Sequence, residues 1–231
     1  MAKTNMVENK KITALVAVKG NSERVPKKNI RPFHNSNLLE IKLAQLSAAE
    51  VFDEIIVSSE SDEVLSKCKN FNVTLHKRDS VYSEPLTPMS DVYEHLANQV
   101  NTDYIAWIPV TNPMVNELIY KDAVNTFQEM DNIKYDSLLS VHELHEYLYY
   151  NEKPLNFSRD PWLRSQDLTG VYAVNFAINI LSKAAMINNR ATMGDRPNFF
   201  VIQHELAIDI DYMRDFLLAE IIYKQQLEES K

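Results

Sequence analysis

Short, almost entirely apolar runs alternate with segments of helical periodicity along this chain, and this alternation restricts the possible folds more than any other feature. The first run, Ile12–Val18 (ITALVAV), is typical of a strand buried on both faces. Alternating strands and helices favour an α/β fold with parallel strands and crossover helices on both faces of the sheet. Further strands are predicted at Glu54–Ser58, Val73–His76, Tyr104–Ile108 and Ser137–Val141. Helices are predicted at Leu38–Val51, Asp62–Asn70, Met89–Val100 and Val115–Met130.

The alternation stops after Val141. Residues 142–170 are rich in aromatic side chains and have no clean period, so we interpret them as an excursion from the main sheet. Large apolar residues outside a core need a partner, which favours a dimerisation arm; a platform for base stacking is the alternative. Two further strands are predicted at Val171–Ile180 and Phe199–Ile202, and a terminal helix at Asp211–Gln226. Residues 12–231 are predicted to form a single domain that includes this excursion.

Composition excludes several classes of protein. A single cysteine, Cys68, allows neither an internal disulfide nor a thiolate zinc site. The formal net charge of -8 argues against a broad nucleic-acid-binding face. No apolar stretch is long enough to cross a bilayer, and the N-terminal region lacks the pattern of a secretory signal. We therefore expect a cytoplasmic protein without nucleic-acid or membrane partners.

Ligands of open α/β sheets bind at the carboxyl ends of the strands, which makes the loops after the strands the candidate site. This rule selects Lys19–Asn29, Ser58–Ser61, Lys77–Pro88 and Pro109–Pro113. The first of these loops is the most informative because it is strongly basic in a chain that is acidic overall. It holds one acid, Glu23, and a group of cations that comprises Lys19, Arg24, Lys27, Lys28 and, just beyond, Arg31.

The chemistry of this basic loop indicates a site for phosphate groups. Gly20 permits a close approach of the backbone to a ligand, and Ser22 and backbone amides can cradle phosphate oxygens. Lysines at both ends of the loop can neutralise a triphosphate. The motifs GxxxxGK[ST] and GxGxxG are both absent, so neither a Walker loop nor a dinucleotide fingerprint is predicted. A solvated basic loop is the alternative interpretation.

Two acids near the C-terminus, Asp209 and Asp211, flank Ile210 at strand spacing, so both carboxylates could point to one side. Mg²⁺ is commonly held by one or two carboxylates together with substrate phosphates. The alternative is that Asp211 only caps the terminal helix. Lysines and a carboxylate pair are the two halves of a metal–nucleotide site, and their combination favours Mg²⁺ as the cofactor.

Five segments of the chain carry a family resemblance. They are KGNSERVPKKN (19–29), RDSVYSEPLTPMSDVYEHL (78–96), PVTNPM (109–114), RSQDLTGVYAVNFAINI (164–180) and IDIDYMRDFLLAE (208–220). In the first, Lys19, Ser22, Pro26, Lys28 and Asn29 fall on a signature that reads A-R-x-G/N-S-K-x-h-P-x-K-N, where h is apolar and Lys19 stands in place of the arginine. In this order, the segments resemble those of the CMP-sugar synthetases, the cytidylyltransferases that activate acylneuraminic and related ulosonic acids. The resemblance implies a three-layer, Rossmann-like nucleotidyltransferase fold with a mainly parallel sheet and a protruding dimerisation excursion.

The resemblance also implies a reaction, in which CMP passes from CTP to the anomeric hydroxyl of an eight- or nine-carbon acidic sugar and pyrophosphate leaves. It implies catalytic roles for Lys19, Lys28 and Asp211, and Mg²⁺ ligation by Asp209 and Asp211. The implied nucleotide contacts are Lys19, Gly20, Ser22, Lys28, Asn29, Lys77, Arg78, Ser83 and Thr87. The implied sugar contacts are Thr111, Arg164, Gln166 and Asn175. The resemblance finally implies a homodimer in which the arm 142–170 completes the neighbour's sugar pocket.

Departures from the family pattern leave other functions open. Glu23 replaces a basic residue, Pro109 and Val115 replace a glutamine and an arginine, and Phe176 replaces a glycine. The nucleotide half therefore matches the family better than the sugar half, which supports cytidylyl transfer more strongly than any particular acceptor. One alternative is a nucleotidyltransferase of the same fold that acts on another sugar or an alditol phosphate. The other is a non-catalytic, nucleotide-binding paralogue.

Overall fold

A seven-stranded, mainly parallel β-sheet forms the centre of the computed structural model, which describes residues 11–229. The last two residues of the predicted 12–231 domain lie outside this range. The strands are β1 (Ile12–Ala17), β2 (Pro32–Phe33), β3 (Ser36–Asn37), β4 (Glu54–Ser59), β5 (Thr74–Lys77), β6 (Tyr104–Trp107), β7 (Ser137–Glu143), β8 (Tyr149–Tyr150), β9 (Lys153–Pro154), β10 (Tyr172–Ser182) and β11 (Pro197–Val201). The helices are α1 (Leu38–Ala49), α2 (Asp62–Lys67), α3 (Met89–Gln99), α4 (Glu117–Glu129), α5 (Lys183–Asn189) and α6 (Met213–Glu229).

The strands of the central sheet follow the order β11–β7–β10–β6–β1–β4–β5. Strand β1 pairs in parallel with β4 and β6, β4 with β5, and β7 with β11. Strand β10 is antiparallel to both of its neighbours, β6 and β7. Because β10 lies between them, β7 runs in the same direction as β6. The carboxyl ends of six of the seven strands therefore lie at one edge of the sheet, and the predicted mainly parallel α/β fold is confirmed.

Apolar side chains pack on both faces of the sheet, as the buried strand β1 requires. One face carries a cluster that includes Leu43 of α1, Phe127 of α4 and Phe216 of α6. The other carries a smaller cluster with Leu96 of α3 and Met186 of α5. Each fully buried side chain of this size contributes roughly 1.5–3 kcal/mol, so the two clusters fix the sheet and its loops firmly in place.

Two features of the C-terminal part differ from the sequence-based expectations. Helix α5 is not predicted from the sequence, because it follows β10 directly; Ser182 caps it by accepting a hydrogen bond from the amide of Ala185 (3.1 Å). The predicted start of the terminal helix at Asp211 is wrong, because α6 begins at Met213. The carboxylate of Asp215 accepts hydrogen bonds from the amides of Asp211 (3.2 Å) and Tyr212 (2.8 Å), which holds these two residues ahead of the helix.

Residues 144–170 lead away from the central sheet. The predicted start of the excursion at residue 142 is two residues too early, because His142 and Glu143 still belong to β7 and pair with β10. The excursion includes a separate two-stranded sheet, β8–β9, and a group of aromatic rings around Phe157. Tyr150 and Trp162 are 68% and 60% exposed, which is high for large apolar side chains. Among the helices within residues 11–229, none is long and apolar enough to cross a membrane.

Candidate active site

A cavity of about 570 Å³ opens at the carboxyl edge of the sheet, between the loops that follow β1, β5 and β6. The predicted site residues that line it are Lys19, Ser22, Lys28, Asn29, Ser83 and Thr111. Its volume is in the range of pockets that hold small ligands and cofactors. A larger cavity of about 720 Å³ lies between the first loop and α6, near Pro26 and Phe216, and its lining contains none of the predicted site residues. The first cavity is therefore the candidate site.

The first loop is held in shape by hydrogen bonds to its own backbone. The side-chain amide of Asn29 donates to the carbonyl of Lys19 (3.0 Å), which joins the two ends of the loop. The amide of Gly20 donates to Oε1 of Glu60 (2.7 Å), in the loop after β4. A Cβ atom at Gly20 would lie 2.5 Å from Cβ of Ser61, so this close contact between the two loops requires a glycine.

Glu60 connects three elements of the site, a role that the sequence analysis does not assign to it. Its Oε2 accepts hydrogen bonds from Ser83 (2.7 Å) and from Arg78 (3.1 Å), while Arg78 also donates to the carbonyl of Val18 (3.0 Å). Burial alone would raise the pKa of Glu60, but the hydrogen bonds from Ser83, Gly20 and Arg78 outweigh it and lower this pKa. The loop Ser58–Ser61 is among those selected by the strand-end rule, which is the only sequence signal for Glu60.

The cations of the basic loop divide into two groups. Lys19, Arg24 and Lys28 line the cavity. Lys27 points elsewhere and pairs with Glu63 (2.8 Å), and the guanidinium of Arg31 lies over the ring of Phe216, 5.9 Å from its centroid. Three of the five cations are therefore available to a ligand in the cavity.

The acidic pair near the C-terminus is not part of the cavity lining, but hydrogen bonds connect its segment to residues that are. The Nζ atom of Lys28 donates a hydrogen bond to the carbonyl of Ile210, which lies between the two acids in the sequence. The amide of Ile210 donates to the carbonyl of Thr111 (3.1 Å), in the loop after β6. The carboxylate of Asp211 accepts a hydrogen bond from Arg24 (2.7 Å). The segment 210–211 is thus tied to two of the three loops that line the cavity, those after β1 and β6, and Asp211 pairs with a cation instead of capping α6.

The charged groups at this meeting point influence one another. Desolvation lowers the pKa of Lys28, and the charges of Asp209 and Asp211 oppose this effect. Desolvation raises the pKa of Asp209; a hydrogen bond from Thr111 opposes the rise, and the charge of Asp211 adds to it. The two carboxylates are therefore close enough to repel each other, and a divalent cation would relieve that repulsion. Within residues 11–229 no group of three or more His, Cys, Asp or Glu side chains could hold a metal, so phosphates would have to supply further ligands.

A buried asparagine organises the side of the cavity next to Thr111. Asn112 is fully buried, and its side-chain amide donates weakly to the carbonyls of Asn175 (3.4 Å) and Ile208 (3.3 Å). The carbonyl of Asn112 accepts a hydrogen bond from the amine of Lys42 (2.9 Å), a fully buried lysine of α1. Asn112 and Lys42 were not predicted from the sequence, and together they position the loop that carries Thr111.

The β-bulge in β10 carries the predicted sugar contact Asn175. This side chain is buried, and its oxygen accepts a hydrogen bond from the amide of Ala177 (3.1 Å). The next residue, Phe176, has φ of 55°, a left-handed conformation that favours glycine. It is the position at which the family pattern has glycine, so the backbone keeps the shape of the motif although the side chain differs.

Nine of the predicted site residues are not among those that line the cavity: Gly20, Lys77, Arg78, Thr87, Arg164, Gln166, Asn175, Asp209 and Asp211. Lys77 forms an exposed pair with Asp62 (2.5 Å), and the hydroxyl of Thr87 donates to the carbonyl of Val81 (2.5 Å). Arg78 is buried behind the loop, as described above. Arg164 binds Asp167 through two hydrogen bonds (2.7 and 3.0 Å) on the excursion, where Gln166 is exposed.

Comparisons with known proteins agree with this geometry. The model of a family described as Cytidylyltransferase matches residues 13–227. Pseudaminic acid cytidylyltransferase of Campylobacter jejuni is 25% identical over 220 residues, which cover 91% of this chain and 95% of that protein. N-acylneuraminate cytidylyltransferase of Oncorhynchus mykiss is 24% identical over 222 residues, which cover 92% of this chain and 50% of that protein.

Solved structures with the same fold include a CMP:2-keto-3-deoxy-manno-octonic acid synthetase complexed with CTP. It has a TM-score of 0.65 at 11% identity and covers 94% of this chain and 99% of its own. A 4-diphosphocytidyl-2C-methyl-D-erythritol synthase from Anaerococcus prevotii has a TM-score of 0.68 at 14% identity and covers 96% of this chain and 100% of its own. These likenesses establish the nucleotidyltransferase fold.

Proposed function

We propose that this chain, which belongs to the cytidylyltransferase family, transfers CMP from CTP to the anomeric hydroxyl of an eight- or nine-carbon acidic sugar and releases pyrophosphate. Its relatives are named for pseudaminic acid, N-acylneuraminate and legionaminic acid. The observation that carries the proposal is the contact between Lys28 and Ile210, which brings the acidic pair next to the basic loop that lines the cavity. Because CTP is an intracellular metabolite, we place the reaction in the cytoplasm.

The chain's own residues would act mainly by positioning and by charge, as in phosphoryl transfer generally. Lys19 and Lys28 line the cavity and would neutralise the triphosphate. Asn29 and Glu60 hold the loop that presents them, through the carbonyl of Lys19 and the amide of Gly20. The sugar oxygen would attack the α-phosphorus in line, and the bond from this phosphorus to the oxygen that bridges it to the β-phosphate would break. Stabilising the negative charge on the departing pyrophosphate is then the main task of the two lysines.

The donor set at the end of the chain fits Mg²⁺. Asp209 and Asp211 would hold the ion together with phosphate oxygens. The two carboxylates repel each other, and a bound cation would offset this repulsion. When bound, Mg²⁺ would lower the pKa of the attacking hydroxyl and neutralise charge on the phosphates.

A homodimer would explain why two predicted sugar contacts lie outside the cavity of their own chain. Arg164 and Gln166 are exposed on the excursion, which also carries the exposed rings of Tyr150 and Trp162. An arm with these properties suits an interface, and Arg164 could then reach the sugar site of a second copy. Light scattering of the purified chain tests this: a dimer is expected, and Trp162→Glu should dissociate it and impair turnover while CTP binding persists. A monomeric wild-type protein with full activity would contradict the proposed dimer.

The proposed reaction is tested by ligand binding and by product release. We expect CTP with Mg²⁺ to raise the melting temperature, and UTP, GTP and ATP to have little effect. Pyrophosphate should be released when CTP is mixed with a member of a panel of ulosonic acids. CTP binding without release from any acceptor would instead identify a non-catalytic paralogue. Release only with a sugar phosphate or an alditol phosphate would identify a different acceptor class.

A further inference from the structure

Arg24 lines the candidate active site, but its guanidinium is bound to one of the two carboxylates proposed as metal ligands. Its Nη2 atom lies 2.7 Å from Oδ1 of Asp211, and the guanidinium stacks over the ring of Tyr212, 5.0 Å from the centroid. A cation of the protein therefore occupies the place next to Asp211 that a metal ion would take.

This ion pair is built so that it can exchange partners. The side chains of Arg24 and Asp211 are 49% and 44% exposed, and pairs with such exposure are weak because water screens them. Lys28 differs, since it is only 9% exposed and its amine is fixed on the carbonyl of Ile210. Of the two cavity cations that contact the segment 210–211, Arg24 is thus the one that can exchange its partner at little cost.

The charges around the cavity indicate that a phosphate group is a second partner of Arg24. Glu23 also lines the cavity, and its negative charge would repel a triphosphate. It therefore offsets part of the positive charge of Lys19 and Lys28. Lys27 and Arg31 are turned away from the cavity and cannot compensate for this acid. The planar guanidinium of Arg24 carries the missing positive charge, and its geometry matches phosphate oxygens.

We propose that Arg24 is a phosphate-binding residue that exchanges partners on ligand entry. In the nucleotide-free protein it neutralises Asp211; when a divalent cation and a nucleoside triphosphate bind, the metal replaces it on Asp211 and Arg24 moves to a phosphate oxygen. This exchange rests on the proposed function. It keeps Asp211 paired with a cation in both states, and it makes the binding of metal and nucleotide depend on each other.

The exchange is tested with Arg24→Ala and with the matched variant Arg31→Ala, which removes a neighbouring arginine outside the cavity. Mn²⁺ binding to the nucleotide-free protein is measured from the paramagnetic resonance signal of the free ion. Arg24→Ala should bind Mn²⁺ roughly two- to five-fold more tightly, because Asp211 loses its competing partner. The same variant should bind CTP about tenfold more weakly in the presence of Mn²⁺, because a charged phosphate contact is lost. Arg31→Ala should show neither change.

A double-mutant cycle makes the first measurement specific. In an Asp211→Asn background, Arg24→Ala should no longer alter the affinity for Mn²⁺. Unchanged Mn²⁺ affinity in Arg24→Ala overturns the exchange, and so does tighter Mn²⁺ binding with unchanged CTP affinity. The Mn²⁺ titration needs no nucleotide, so it reports on the competition at Asp211 independently of the substrate. Wild-type protein that binds Mn²⁺ but not CTP would overturn the proposed function and the phosphate half of the exchange, whatever the titration shows for Asp211.

Discussion

The ammonium group of Lys28 donates a hydrogen bond to the carbonyl of Ile210, 182 residues away in the sequence. This contact places a cation of the first loop on the segment that carries Asp209 and Asp211, whose charges act on it, and Lys28 is only 9% exposed there. The two ends of the fold therefore share one charged centre, and the function of either end depends on the other.

Lys28→Met should weaken CTP binding at least tenfold, because the contact of a nearly buried charged amine with phosphate is lost. Isothermal titration calorimetry with CTP and Mg²⁺ measures this directly. Lys27→Met is the matched control, since the neighbouring lysine pairs with Glu63 outside the cavity and should bind CTP normally. Equal affinities of the two variants would contradict a role of Lys28 in phosphate binding.

Asp211→Asn should reduce Mg²⁺-dependent pyrophosphate release at least a hundredfold while the fold stays intact, in line with the loss of a charge-stabilising group from an active site. The side chain is half exposed in its pair with Arg24, so the free energy of unfolding should change by no more than about 1 kcal/mol. Initial rates and urea unfolding of the same preparation separate the two effects. Wild-type rates in this variant would remove the metal assignment.

Glu60→Ala should destabilise the protein by roughly 3 kcal/mol, because it leaves the guanidinium of the buried Arg78 without its carboxylate. The pKa of Glu60 is lowered in the folded state, so its stabilising contribution is complete above the ordinary carboxyl pKa and is lost as the pH falls through the folded value. The difference in unfolding free energy between wild type and variant should therefore be largest at neutral pH and shrink in acid.

Urea unfolding at several pH values measures this difference. Glu63→Ala is the control, because this nearby acid forms an exposed pair with Lys27 and should cost less than about 1 kcal/mol. A pH-independent cost for Glu60→Ala would show that the ionised carboxylate does not hold the loops together.

The sequence predicts the parallel half of the fold well, because each buried strand leaves a continuous apolar run such as Ile12–Val18. It also predicts that Lys28 lies near Asp209 and Asp211, because a basic loop and a carboxylate pair are the two halves of a metal–nucleotide site. The sequence does not predict that β10 lies antiparallel between β6 and β7, because the neighbours of a strand are decided by packing across the whole sheet.

Glu60 and Lys42 show what local patterns cannot reveal. Glu60 follows β4 in a short polar loop, where an acid is ordinarily solvated, and only the folded chain brings Arg78 and Gly20 to it. Lys42 shares the apolar face of α1 with Leu39 and Leu46, where a cation is not expected. In both cases the partners come from distant segments, so the role depends on tertiary structure.

Phe176 has a strained, left-handed backbone conformation. Its φ of 55° costs a residue with a side chain about 1 kcal/mol relative to glycine. Phe176→Gly should therefore be more stable than Phe176→Ala, the reverse of the usual order in a strand. Phe199 of β11 is the control, because it is a strand residue of comparable exposure whose φ is not positive. At this position the glycine variant should be less stable than the alanine variant. Thermal unfolding of the four variants tests this, and the usual order at both positions would refute the strain.

The buried amine of Lys42 should make the stability of the protein depend on pH. This amine is fully buried and donates hydrogen bonds to the carbonyls of Asn112 (2.9 Å) and Val115 (3.4 Å). Its nitrogen lies 2.5 Å from the hydroxyl oxygen of Tyr120, and this hydroxyl can donate to the lone pair of the uncharged amine. Desolvation lowers the pKa of Lys42 well below the ordinary lysine value, and no carboxylate is among these partners. Between the folded and the ordinary pKa, the unfolded chain binds a proton that the folded chain does not, so wild-type stability must rise with pH in that window.

Lys42→Met removes this titration together with the three hydrogen bonds. The free energy of unfolding of wild type minus that of the variant should grow as the pH is raised, by up to about 1.4 kcal/mol per pH unit. Urea unfolding between about pH 6 and pH 9 measures the slope, and Lys69→Met, which removes an exposed lysine, should have none. A constant difference across this range would mean that Lys42 keeps its proton in the folded protein, and the buried amine would then have to act on the loop of Thr111 as a cation.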